Sequence, residues 1–300
     1  MKKILSIVMA ALLITTALVA GEGDDDKKFR FGLKVTPTPA WLRSADKKVV
    51  DKNGIKFGFG FGLQTEFRIT NTAHFVTGIG GDFLGGKQIY KNGQGYILSK
   101  DNAYTDSEKT TFTNGPLTTY TDNIVGNNDK FYEIKTRSIK TTYITIPVLL
   151  KLMTKDISGM KYFGVFGGDI AIQTKFRCTD ELTELKFNTT TNLYEASGDV
   201  TVADMRPTGD LIPFNVGLNV GLGFEYNLSG STSLFVSFNY CRGFVNQYQP
   251  TSEILVDQIK TNINMGTKPT KSKQSGMSDG VQINIGMLFK SYSLFKNPTL

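Results

Sequence analysis

Few residues of this chain are of types that do chemistry, so the first question is whether any of them stand together. His74 is the single histidine in 300 residues, and a histidine can act as general base for acyl transfer or proteolysis. It falls in a short polar break, Thr70 to His74, between two apolar runs. It is expected to be a solvated turn residue, with no serine or aspartate nucleophile marked out beside it. Asp24, Asp25 and Asp26 are adjacent, whereas a calcium loop interrupts its carboxylates at fixed intervals. They read as a solvated leader. Gly58, Gly60 and Gly62 alternate strictly with phenylalanine, which places them on one face of a strand and not in a phosphate-binding turn. Cys178 and Cys241 are the two cysteines; an even pair suits a disulfide in an oxidising compartment, and equally suits two small buried side chains. No catalytic residue, cofactor site or metal site is read.

What remains is an architecture. Met1-Lys2-Lys3 and the apolar run Ile4 to Ala20 precede an acidic stretch, the order of a secretory signal. Residues 1–20 are expected to be removed, leaving a flexible leader at 21–28. With Lys2 and Lys3 gone, the formal charge falls from +7 to +5, an excess that favours anionic surfaces. The basic residues are dispersed, which argues against nucleic acid. Lipid phosphates are the expected anionic partner. No later apolar stretch reaches the roughly 20 residues of a membrane helix, so a membrane-embedded mature chain must cross with strands.

The strands are legible as period-two alternation. From Phe214 to Tyr226, seven apolar residues share one face while Asn215, Gly217, Asn219, Gly221, Gly223 and Glu225 share the other. Phe57 to Ile69 and Val281 to Phe289 repeat the design. Weaker versions run through Phe29 to Thr36, Phe75 to Leu84, Thr142 to Leu152, Tyr162 to Thr174 and Leu234 to Cys241, about eight strands in all. Links after the second, fourth and sixth are short, while residues 43–54, 85–135, 176–210 and 246–276 are long and polar. Short turns alternating with long loops are the periplasmic and extracellular ends of an outer-membrane barrel. Pro147 lies inside Thr142 to Leu152 and removes a ladder donor; a bulge is expected there.

The fold class is therefore all-β: a transmembrane antiparallel up-and-down barrel of about eight strands over residues 29–290, with a tail at 291–300, in the cell outer membrane. Its inward polar set is read as Lys56, Glu66, Arg68, Asp82, Asn215, Asn219, Glu225, Asn239, Gln282 and Asn284. Eight strands enclose only enough space for side chains, so a closed polar plug is expected. Phe57, Phe67, Phe214, Tyr226, Tyr240 and Phe289 are read at the lipid interface, and Arg242 against lipid phosphate, that of lipopolysaccharide included.

Tyr143-Ile144-Thr145-Ile146-Pro147-Val148-Leu149-Leu150-Lys151, Phe31-Gly32-Leu33-Lys34 and the run from Asn215 to Tyr226 together resemble the PorT-like outer-membrane β-barrel proteins of gram-negative bacteria. The resemblance spans roughly Phe29 to Phe289. It implies an eight-stranded barrel and no catalytic residues; the family's named member takes part in a system that secretes proteins across the outer membrane. The long stretch from Gly85 to Lys135 and the tail beyond Phe289 depart from the family pattern. The leading functional reading is a monomeric barrel that binds or assembles envelope proteins through its long loops, in a secretion or surface-protein complex. A small-solute pore and a soluble lipocalin-like barrel, with its apolar face inward, are the alternatives.

Overall fold

The computed structural model describes residues 29–45, 47, 50–91, 95–99, 130–188, 190–191, 193–205, 211–229, 231–257 and 270–290. The proposed signal, leader and tail lie outside these residues. Among the described residues there are thirteen strands: β1 Phe29–Arg43, β2 Val50–Lys52, β3 Lys56–Arg68, β4 Ala73–Tyr90, β5 Tyr96–Ser99, β6 Lys130–Met153, β7 Met160–Asn188, β8 Leu193–Met205, β9 Phe214–Ser229, β10 Thr232–Gly243, β11 Thr251–Asp257, β12 Thr270–Lys273 and β13 Met277–Lys290. Eight of them close a ring in the order β6-β4-β3-β1-β13-β10-β9-β7, with β7 pairing back to β6. Every ladder in that ring is antiparallel. Closure leaves no edge in the lipid, which a membrane demands of strands.

The polarity of the ring is that of a barrel in lipid. Outward residues such as Phe59, Phe61, Leu63, Leu150, Phe166, Leu222 and Phe238 are exposed, while Gln64, Glu66, Lys151, Asn219, Asn239 and Asn284 are buried inside. This decides against the lipocalin alternative, whose apolar face would line the interior. Aromatic rings form a row at the short-turn end: Phe75 next to Phe67, Phe67 next to Phe29 at 5.2 Å, and Phe31 next to Phe289 at 5.7 Å between centroids. Large rings prefer this headgroup zone.

All four segments read as loops contain strand: 176–210 holds the end of β7 and all of β8, and the other three hold shorter pieces. β6 and β7 run for 24 and 29 residues, against about 9–11 needed to cross a bilayer. Above the lipid-facing band the polarity reverses. On β6, Lys140 and Lys135 are outward and exposed, while Ile139, Ile134 and Tyr132 turn inward and are buried. With β2, β5 and β8, these extensions enclose a second, apolar core that includes Leu42, Tyr90, Phe176, Leu182 and Tyr248.

The bulge expected at Pro147 is not there. Val76↔Leu149 and Gly80↔Thr145 keep one register on either side of it, and Pro147 stays paired with Asp169 on β7. The missing N–H is accommodated as a gap in the β4 ladder. Gly78, which that register sets opposite Pro147, has φ near 155°, and a Cβ there would collide with the Leu63 carbonyl oxygen. The β6–β7 register instead shifts between Thr142 and Tyr143, at the top of the band. Gly78→Ala is expected to lower stability by about 1–3 kcal/mol, read as the urea midpoint of the refolded barrel. At Gly81 a Cβ would meet nothing nearer than 3.8 Å, so Gly81→Ala should leave the midpoint nearly unchanged.

Candidate functional site: the closed lumen and its outer extension

At the short-turn end the lumen is crossed by four charges. Arg30 comes from β1, Glu66 from β3, Lys151 from β6 and Glu225 from β9, each brought inward by alternation with outward apolar neighbours. Arg30 donates to Glu66 and to Glu225 from its two terminal nitrogens. Lys151 Nζ donates to Glu66 Oε1 at 2.9 Å and to Glu225 Oε2 at 3.1 Å. Each acid is thus held by both cations and each cation by both acids, so the four form a closed circuit. Gln64 donates to Glu66 Oε1 at 2.9 Å, and Lys151 Nζ lies 4.2 Å from the centre of the Phe163 ring. A buried ion network needs its charges paired; here all four are, with the Arg30 Nε alone of the circuit's polar atoms left without a partner, and the circuit fills the narrow cross-section of an eight-stranded ring.

Above it the inner face is a ladder of uncharged and mixed hydrogen bonds. Thr36 donates to Asn284 at 3.0 Å, Asn284 to Ser237 at 3.2 Å, Asn239 to Asn219 at 2.8 Å and Asn219 to Asp169 at 2.8 Å. A cavity of about 60 Å³ adjoins it, with Asp82, Tyr143, Asp169, Asn215, Cys241 and Gln282 in its wall. That volume holds a few waters and no organic solute. The outer mouth is closed by the segment after β10. Gln247 Nε2 donates to the Tyr143 hydroxyl at 2.9 Å, and Tyr248 is 1% exposed, edge-on to Phe176 and bonded to Gln88 at 3.4 Å. Arg137 and Asp180 make a two-pronged ion pair beside this core, at 2.6 to 3.1 Å.

Most of the inward set read from the sequence is found inside. Glu66, Asp82, Asn219, Glu225, Asn239, Gln282 and Asn284 are buried; Asn215 is half-buried and accepts from the Val245 amide at 3.3 Å. Arg68 is half-buried near the rim and bonds Asn71 in the adjoining turn. Lys56 is a correction. It lies over the outer face of β4 at Gly85, where a Cβ would meet its Cδ at 3.2 Å, and it reaches Ser138 on β6. With no β-carbon on Gly85, the long stem crosses the strand there instead of entering the lumen.

His74 is also a correction. It is the second residue of β4, 8% exposed, and paired in register with Arg68 and Lys151. The turn is shorter than the sequence suggested, so the ring packs inward beside the charge circuit. The disulfide is not formed: Cys178 and Cys241 are free. Cys178 lies in the outer apolar core, and Cys241 lies on the lumen wall, 3.8 Å from Asp169. Burial pushes the Cys178 thiol up to about 12. Since the thiolate is the reactive form, maleimide should label Cys178 at pH 8 at least about 100-fold more slowly in the folded barrel than in urea. Intact mass after timed quenching measures this, and comparable rates would contradict the packing around it.

Arg30 and Lys151 are the lumen charges of the circuit that sequence reasoning missed, and Thr36, Gln64, Asp169 and Ser237 were missed with them. The signal was present: Phe31, Leu33 and Val35 face out, which turns Arg30 in, and Ile144, Val148, Leu150 and Leu152 do the same for Lys151. Among the lipid-interface residues, Phe57 is 88% exposed, and Phe214, Tyr226, Tyr240 and Arg242 are exposed as well. Phe67 and Phe289 are half-buried within the aromatic row.

A closed antiparallel ring with a polar, side-chain-filled interior and an apolar exterior is an outer-membrane β-barrel, and the outer membrane is where this protein resides. The chain belongs to the outer membrane protein beta-barrel domain family, which it matches over residues 24–249. Among solved structures it is similar to OprG of Pseudomonas aeruginosa, with 12% identity and a TM-score of 0.38 over 90% of this chain and 99% of that one. Neisserial surface protein A gives 10% identity and a TM-score of 0.35 over 90% and 100%. Ail, the attachment invasion locus protein of Yersinia pestis, gives 9% and 0.27 over 87% and 99%. No curated protein matches the chain.

Proposed function

We propose that this barrel is a binding or assembly component of the cell envelope that works through its outer extension, in a protein-secretion or surface-protein complex of the kind to which PorT-like proteins belong. The observation that carries this is the disposition of mass. The lumen is filled by the Arg30, Glu66, Lys151 and Glu225 circuit, while β6 and β7 continue far beyond the length that crosses lipid and build an apolar core of their own outside it. An ordered extension of this length suits a surface that meets something.

The reading has no catalytic step, since Glu66 and Glu225 are each engaged by two cations and stand as structural charges. It takes the barrel as a monomer in lipid, and it disfavours the small-solute pore because both ends of the lumen are obstructed. The test is crosslinked affinity purification from outer membranes, comparing wild type with a variant whose β7–β8 hairpin is cut back from 183–201 to a two-residue turn. A stoichiometric envelope protein recovered with wild type and lost with the variant supports the proposal. The same partners with both proteins, or none with either, defeats it.

A further inference from the structure

Four strands carry basic residues on their outer faces one row above the lipid-facing band. Phe83 on β4 is paired with Thr142 on β6, and both are at the top of that band. Two residues further along, Gly85 pairs with Lys140, and Lys140 pairs across its other edge with Arg177 on β7. Lys175 stands beside Thr142, Lys87 beside Ser138, and Lys56 crosses Gly85 to bond Ser138. The outcome is a contiguous patch of Lys56, Lys87, Lys140, Lys175 and Arg177 on β3, β4, β6 and β7.

Like charges directly opposite one another on neighbouring strands are destabilising, and the Lys140–Arg177 pair is such a case. The nearby acids do not balance the patch. Glu181 is engaged by Lys87 at 3.3 Å and by the Thr136 hydroxyl at 2.5 Å, and Asp204 lies 3.1 Å from Arg177. Among the described residues Lys140 and Lys175 have no carboxylate partner, and Lys56 has only Ser138. Burial pushes the Lys56 ammonium down, and the neighbouring Lys140 and Lys87 charges push it the same way. On the opposite wall the balance differs: Arg242 and Trp41 flank Asp279, which Arg43 already holds at 2.9 Å.

We infer that this patch is a binding site for a phosphate-bearing lipid headgroup of the outer leaflet, with Lys56, Lys140 and Lys175 as its principal ligands and the Ser138 and Thr142 hydroxyls beside them. Acyl chains would then lie against Phe83, Ile144 and Ile172 directly below, all of them exposed. The lipid is favoured over a soluble anion by this continuity, because one molecule satisfies both the cations and the apolar surface. The inference holds whichever protein partner the outer extension takes.

The test uses the full-length barrel in detergent and native mass spectrometry with three probes: bisphosphorylated lipid A, the same glycolipid with its phosphates removed, and inorganic phosphate. Wild type should retain the phosphorylated lipid, and K56Q/K140Q/K175Q should retain it at least about tenfold less. Lys140→Arg in an otherwise wild-type chain should keep binding, and K155Q/K161Q at the other end of the barrel should not alter it. The heat-dependent gel shift of a folded barrel checks each variant. Equal retention by wild type and the triple variant, or equal retention of the dephosphorylated lipid, overturns the site. Displacement of the lipid by inorganic phosphate at equal concentration overturns its assignment to a lipid.

Discussion

Arg30→Leu is expected to destabilise the barrel by about 3–5 kcal/mol, the cost of breaking a buried ion pair from one side. Arg30 supplies one of the two cations to both Glu66 and Glu225. Its removal leaves two acids, 0% and 3% exposed, facing a single ammonium. The readout is the urea midpoint of the refolded protein, followed by the gel shift of the folded form. The double variant Arg30→Leu with Glu225→Leu should recover much of the loss, because the remaining Glu66 and Lys151 stay paired at 2.9 Å. If the single and double variants unfolded together with wild type, the circuit would not be a structural element of the lumen.

A change on the other side of the wall should be comparably large. Leu222 on β9 is 73% exposed in the middle of the lipid-facing band, with Val220 and Phe224 on the same face. Leu222→Arg is expected to cost about 2–4 kcal/mol in a bilayer, the range for a cation placed on a barrel's lipid face at midplane depth. In a soluble barrel an exposed leucine replaced by arginine would cost almost nothing. Equilibrium unfolding from phospholipid vesicles distinguishes the two, and a loss under about 0.5 kcal/mol would contradict the lipid-facing assignment.

The parts of the fold legible in the sequence are those where lipid imposes a strict period of two. Phe57 to Ile69, Phe214 to Tyr226 and Val281 to Phe289 are strands β3, β9 and β13 to within a few residues, since water-free surroundings favour apolar residues at outward positions, with Thr65 the exception in β3. The extensions were hidden for the converse reason. Where β6 and β7 leave the band, outward positions become Lys140 and Lys175 while inward ones become Ile139 and Phe176. The alternation survives with its sign reversed, and bulges at Thr142/Tyr143 and Ile134/Thr136 shift its phase again. A segment such as 176–210 then reads as a polar loop, although it is most of a hairpin.

The lumen shows the same division. Most of its acids and amides, Glu66, Asn219, Glu225, Gln282 and Asn284, were found because they sit in the clearest strands, but the cations that complete the circuit lie in weaker ones. Arg30 is the second residue of its strand, and Lys151 ends a run in which Pro147 draws attention to the backbone. Lys56 went astray because it is the first residue of β3: it is paired with Ala40 on β1, but the β4 ladder begins only at Phe59, so on that side its long stem is free to cross the strand at Gly85.

The most direct test of the sealed lumen is single-channel recording of the refolded wild-type barrel in a planar bilayer of defined lipid. The charge circuit below and the Gln247–Tyr248 closure above predict a flat baseline across the voltage range, with insertion verified by protease protection. Reproducible unitary conductance steps from the inserted wild-type protein would contradict it and return the polar interior to the role of a pore.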